Sequence, residues 1–334
     1  MKKSLLFPLS ILAAFAALSL FLWLNDYAPL AVFQTIFSNS WQTASGQLSM
    51  LTKASLLILT GLAVAIPYRA GLFNIGGEGQ MLMGGLAAVL AGIYTPTLFG
   101  KAALLFSLAA GLAGGIAWAV ISAYLKTRHQ IHEVISTIML NFIALQIANE
   151  CALNFFSAGE GTSRTPMIPD NARLPVLFAF RSADTTWGIV LAVLVALGLA
   201  WLLYKTWLGY RLRAVGSNPV ASAYAGISPG TAHAWAMGLG GACAGLAGAI
   251  QTCGIDHTYY ARFSSGFGFD GIAVAFLGMN EPWAMIPAAL VIATLRASDR
   301  ALQLDLGIPK DMVMVLEGMI IICVAIFMRR KAHD

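Results

Sequence analysis

Ten apolar runs alternate with short polar stretches along the chain, at roughly 5–24, 51–67, 79–95, 102–125, 133–157, 187–204, 231–252, 267–280, 282–298 and 311–328. Crossing a bilayer core takes about 20 residues of α-helix, and most of these runs approach that length. Each predicts a helix, because lipid offers no hydrogen-bond partner to an open sheet edge. Several runs are built on small residues: GGLAAVLAG, GLAGGIAWA and GLGGACAGLAG, in which Gly241 and Gly245 stand one turn apart. Such spacing lets helix backbones approach closely. The pattern as a whole predicts an all-α integral membrane protein of about ten transmembrane helices. The run from Leu5 to Leu24 follows Lys2 and Lys3 and outlasts the core of a signal peptide, so it reads as a retained first span.

Composition sharpens this reading. Of 334 residues, 58% are hydrophobic and only 10% charged, against about 25% charged in soluble domains. Mean hydropathy is +0.76. No stretch has the composition of a separate soluble domain, so residues 1–334 read as a single transmembrane domain. The net charge of +5 comes from basic residues spread between the runs, which points to membrane topology rather than to nucleic acid. Lys2 and Lys3, Lys126 and Arg128, Lys205, Arg211 and Arg213, and Arg329, Arg330 and Lys331 fall on one side if the chain crosses ten times. Basic residues at span ends favour the cytoplasm, so both termini are expected there. The loop 158–186 would lie outside; its Arg164, Arg173 and Arg181 are balanced by Glu160, Asp170 and Asp184.

Several chemistries find no support. Cys151, Cys243, Cys253 and Cys323 form no C-x-x-C, which argues against a metal cage. No G-x-x-x-x-G-K-[ST] loop exists to cradle ATP, and His132–Glu133 lacks the second histidine of a zinc helix. Gly266, Gly268 and Gly271 spell G-x-G-x-x-G, but at the mouth of a span rather than between a strand and a helix. No cofactor, metal or catalytic set is expected.

Polar groups inside spans are costly and therefore candidates for function. Gln146, Glu150 and Asn154 recur at i, i+4 and i+8, along one face of one helix that also carries Asn141. They would line a water-filled path or bind neighbouring helices. Arg296 and Glu317 could pair with each other. The stretch GLFNIGGEGQMLMGG, residues 71–85, puts Asn74, Glu78, Gln80 and six glycines between two oily runs. Pro67 is expected to end the run before it, and glycine makes irregular backbone cheap. Such an interruption marks either a broken helix at membrane depth, as transporters use, or a tight cytoplasmic turn. GFGFDGI at 266–272 echoes GLFNIGG at 71–77, with Asp270 in the place of Asn74. The echo is offset by five spans, which fits two inverted halves.

The longest inner connection, 205–230, reads KTWLGYRLRAVGSNPVASAYAGISPG. Asn218 followed by Pro219 is a helix start, and Gly226 a plausible left-handed stop. Between them lies a short helix with one aromatic anchor, Tyr224. It would fit a groove in another protein or lie on the membrane surface.

Four stretches in order carry a resemblance: GLFNIGGEGQMLMGG, EVISTIMLNFIAL, LRAVGSNPVASAYAGI and GFGFDGIAVAFLG. From about residue 50 onward the chain resembles the permease subunits of nucleoside and simple-sugar ABC importers, relatives of ribose and branched-chain amino-acid permeases. The resemblance implies a ten-helix, inverted-repeat fold of the vitamin B12 importer type. It implies a subunit that translocates nucleosides across the inner (plasma) membrane and leaves ATP hydrolysis to a cytoplasmic partner. A second related permease, most often a non-identical one, and a periplasmic or lipoprotein substrate-binding protein complete the assembly. Substrate-pathway residues would be Asn74, Glu78, Gln80, Asn141, Gln146, Glu150, Asn154 and Asp270. The loop 205–230 matches the segment that docks on the ATPase, with Arg213, Gly216, Asn218, Pro219, Tyr224 and Gly226 as coupling residues. The turn FLGMNEPWA departs from the pattern, because relatives carry a basic or amide residue where Met279 and Glu281 stand. Ribose or another simple sugar is the alternative substrate. An ATP-independent secondary transporter, which would not need the capped helix, and a membrane enzyme are rivals from other classes.

Overall fold

Among the described residues two helix pairs bend by 116° at a short break: Ala16–Leu24 with Pro29–Gln42, and Phe267–Leu277 with Pro282–Leu306. The computed structural model describes residues 16–96, 100–159, 162–181, 183–261, 263–309, 312, 313, 315, 316, 318 and 319. In chain order the helices are α1 (Ala16–Leu24), α2 (Pro29–Phe37), α3 (Ala44–Arg69), α4 (Gly77–Tyr94), α5 (Ala103–His129) and α6 (Glu133–Glu150). They continue with α7 (Gly188–Lys205), α8 (Trp207–Ser217), α9 (Pro219–Tyr224), α10 (Pro229–Gln251), α11 (Phe267–Leu277) and α12 (Met285–Leu306). Among the described residues five helices are long and apolar enough to cross a membrane, or up to seven if each of two sharply bent pairs counts as one span. The ten runs of the sequence include 311–328, most of which lies outside the described residues, as does Glu317.

Helix α10 is the axis, packed against α3, α4 and α5. Glycine makes this possible at the α4–α5–α10 junction. A Cβ on Gly115 would fall 2.1 Å from the carbonyl oxygen of Gly241, and one on Gly84 would fall 2.3 Å from the Cα of Gly245. The backbones therefore touch directly, as small-residue helix interfaces in membranes do.

Helix α3 corrects one expectation. Pro67 does not end it; the helix runs two residues further, to Arg69. A proline in a helix lacks the N–H that would bond the carbonyl four residues back. Here that carbonyl belongs to Ala63, and it accepts a hydrogen bond from Asn74 Nδ2 at 2.9 Å. A side chain from beyond the helix end thus supplies the missing donor.

The loop 158–186 is not wholly irregular. It contains an antiparallel hairpin, β1 (Val176–Phe180) and β2 (Ala183–Thr186), an addition to the all-α expectation. The amides of Thr165, Ile168 and Leu174 bond the carbonyls of Tyr259, His257 and Cys253, which fastens this loop over the far end of α10.

Candidate functional site

The two glycine-rich echoes meet inside the fold. In the connection 70–76 Gly71 is exposed but Asn74 is fully buried, and α4 opens at Gly77 among neighbouring helices. Gly266, at φ +89, opens α11 in the same neighbourhood. A Cβ on Gly268 would lie 2.3 Å from the Cα of Glu78, and one on Gly77 3.2 Å from the carbonyl oxygen of Gly268. Two helix N-termini therefore abut, and each exposes amide donors that need partners.

Side chains from elsewhere supply them. Glu78 Oε2 accepts the Gly268 amide at 3.0 Å, which places a carboxylate at the positive end of α11. Asn141 of α6 accepts the Gly79 amide at 2.8 Å and donates to the Ile75 carbonyl at 2.9 Å. Asn74 and Gln80 form a reciprocal amide pair at 3.0 and 3.1 Å, and Asn74 also accepts the Gly76 amide. Asp270 pairs with Arg296 at 2.6 Å, and the Arg296 guanidinium lies over the Phe267 ring. Arg296 thus pairs with Asp270; the pairing with Glu317 that the sequence suggested lies outside the described residues. Glu78, Asn74 and Asn141 hold backbone at places where helical hydrogen bonding stops, and Gln80 holds Asn74 in turn.

Gln146, Glu150 and Asn154 behave differently. They share a face, as their spacing requires, and Asn154 Nδ2 donates to Glu150 Oε1 at 2.7 Å. That face is exposed on this chain and does not look into its own bundle. Helix α6 turns Asn141, Ala144 and Ala148 inward, and the stripe outward beside Phe142 and Ile143.

At the opposite end of α7 stands the loop 205–230. Its short helix is present as α9, with Asn218 Oδ1 accepting the Ala221 amide at 3.0 Å and Gly226 at φ +80. Tyr224 is 91% exposed and Val220 65%, so the apolar tip of α9 has no cover among the described residues. Helix α8 precedes it and rests on α7, where Arg213 Nε donates to the Leu203 carbonyl at 3.1 Å. At Gly216 its backbone touches the end of α3; a Cβ there would lie 2.1 Å from the Arg69 carbonyl oxygen. Sequence reasoning passed over Arg69 and Tyr204. Both reach Glu281 in the α11–α12 turn, the first as an ion pair and the second through its hydroxyl. No local pattern could have joined residues so far apart in the chain.

A core of long apolar helices, two helix N-termini that abut inside it and a short exposed helix on one side are the architecture of an integral membrane protein. The profile of the family described as "Branched-chain amino acid transport system / permease component" matches residues 47–325. The chain belongs to that permease family. The guanosine ABC transporter permease NupP of Bacillus subtilis is 36% identical, with 96% of this chain and 93% of that one covered. The glucose ABC transporter permease TsgB13 of Haloferax volcanii is 31% identical over 94% and 85% of the two chains. The nucleoside ABC transporter permease NupB of Lactococcus lactis subsp. cremoris is 30% identical over 90% and 84%.

Proposed function

We propose that this chain is a single-domain permease subunit of an ATP-binding-cassette importer that moves nucleosides across the inner (plasma) membrane. Its substrate is inferred from one observation above the others: 36% identity, along nearly its whole length, to a permease named for guanosine. The chain itself hydrolyses nothing. A cytoplasmic ATP-binding subunit docks on the uncovered tip of α9, with Val220 and Tyr224 as anchors, and both termini lie on that side. A substrate-binding protein delivers the nucleoside from the opposite face.

The outward stripe supports a second permease. An ionised side chain that faces lipid within a span is costly, and Glu150 closes α6 inside the span candidate Glu133–Phe155. Glu150 avoids that cost if a related chain covers the exposed face of α6 and water enters between the two. Gln146, Glu150 and Asn154 then line the pathway, and Glu78, Asn74, Gln80, Asn141 and Asp270 shape it by holding the broken helices. A simple sugar is the second reading, favoured by the likeness to the glucose permease TsgB13.

Uptake into proteoliposomes carrying the whole importer tests this. Labelled guanosine should accumulate only with ATP, and excess unlabelled nucleoside should compete while glucose or ribose should not. Accumulation without ATP would favour a secondary transporter, and competition by the sugars alone would favour the second reading.

A further inference from the structure

One carboxylate ties together three parts of the fold that the proposed cycle would have to move as one. Glu281 sits in the turn between α11 and α12, with its side chain 28% exposed. Arg69, the last residue of α3, pairs with it and also donates from Nε to the Asn280 carbonyl at 3.0 Å. Tyr204, near the end of α7, donates its hydroxyl to the other oxygen of the same carboxylate. The Arg213 guanidinium lies 5.2 Å from the centre of the Tyr204 ring, which brings α8 into the group.

Each partner leads somewhere different. Gly71, two residues beyond Arg69, lies in the break between α3 and α4, and Glu281 lies in the break between the bent pair α11 and α12. Tyr204 and Arg213 belong to the stem that carries α9. The turn itself is strained, because Met279 and Asn280 hold φ of +53 and +55 without being glycine. Consecutive left-handed residues of this kind persist only where their surroundings hold them. Asn280 is buried, and the Arg69 bond to its carbonyl supplies part of that hold.

We propose that Glu281 is a positioning residue that joins the α8–α9 stem to both broken helices, so that displacement of the docking helix shifts the two breaks together. Arg69 and Tyr204 are its partners in this. The inference rests on the proposed function, since it presumes an ATPase acting at α9.

The test uses the complete importer in proteoliposomes and reads substrate moved per ATP hydrolysed. Glu281→Gln keeps the shape and loses the charge. It should lower that ratio about tenfold, within the 5–150-fold usual for coupled sites, while the ATPase still copurifies and hydrolyses ATP. Tyr204→Phe removes a single hydrogen bond and should give a smaller fall in the same direction. If Glu281→Gln assembles poorly, Tyr204→Phe decides: a lowered ratio supports the proposal and a wild-type ratio overturns it. A wild-type ratio in Glu281→Gln also overturns it, as does a parallel loss of uptake and hydrolysis. Failure of the functional reading is distinct, since the wild-type importer would then move substrate without ATP.

Discussion

Helix α6 carries two kinds of polar residue, and they do opposite things. Asn141, in its first half, is buried and satisfies the amide of Gly79 and the carbonyl of Ile75 at the opening of α4. Gln146, Glu150 and Asn154, further along, face away from the bundle and bond at most to each other. Polarity within a span therefore has two readings in this chain. Where helices break, it replaces backbone hydrogen bonds that the break removes. Where an unbroken helix presents it outward, it prepares a surface for water, substrate or another subunit.

The largest expected effect falls on the meeting point of the breaks. Gly268→Leu drives a side chain into the backbone of Glu78 and should abolish recovery of folded permease in size-exclusion chromatography. Gly238→Leu is the contrast. It also lies in a helix, but open space surrounds the position where its Cβ would stand, so yield should stay near wild type.

Next come the buried pins. Asn74→Leu leaves the Ala63 carbonyl without the donor that replaces the proline amide and strands the amide of Gln80. Each buried group left unpaired costs about 1–3 kcal/mol. Thermal unfolding of the purified permease should show a clear drop for this variant, and a similar one for Asn141→Ala. A wild-type melting temperature in both would erase the distinction drawn between the two halves of α6.

Smaller still is the docking helix. Asn218→Ala should cost about 0.5–2 kcal/mol of local helix stability, and Gly226→Val should cost more because a branched side chain resists positive φ. Neither touches a span. Global melting should hardly change, while the ATPase copurifies less well and uptake falls. Tyr224→Ala leaves both caps intact and isolates the anchor; unaltered copurification in that variant would make α9 a surface feature only.

How much of this was legible depends on how local each signal is. The α9 helix was readable because a cap is a matter of neighbours in sequence: Asn218, Pro219 and Gly226 carry their conformations with them. The common face of Gln146, Glu150 and Asn154 was readable from helical period. Whether that face looks in or out was not, because α6 is apolar on most sides and only its packing against α4 and α5 decides the direction. Pro67 misled for a related reason. The penalty of a helical proline was judged without the donor that cancels it, and Asn74 reaches Ala63 only after the chain has turned back on itself. The joining of Arg69, Tyr204 and Glu281 lies further out of reach, since three distant segments must first fold to bring them together.

Glu150→Gln in the assembled importer tests the central distinction most directly, with uptake and thermal unfolding measured on the same preparation. The charge is lost but the size and the bond from Asn154 can remain. If the outward stripe serves the pathway and the inward residues serve the fold, uptake should fall severalfold or more with the melting temperature unchanged. Unimpaired uptake, or a melting loss as large as that of Asn141→Ala, would contradict the account.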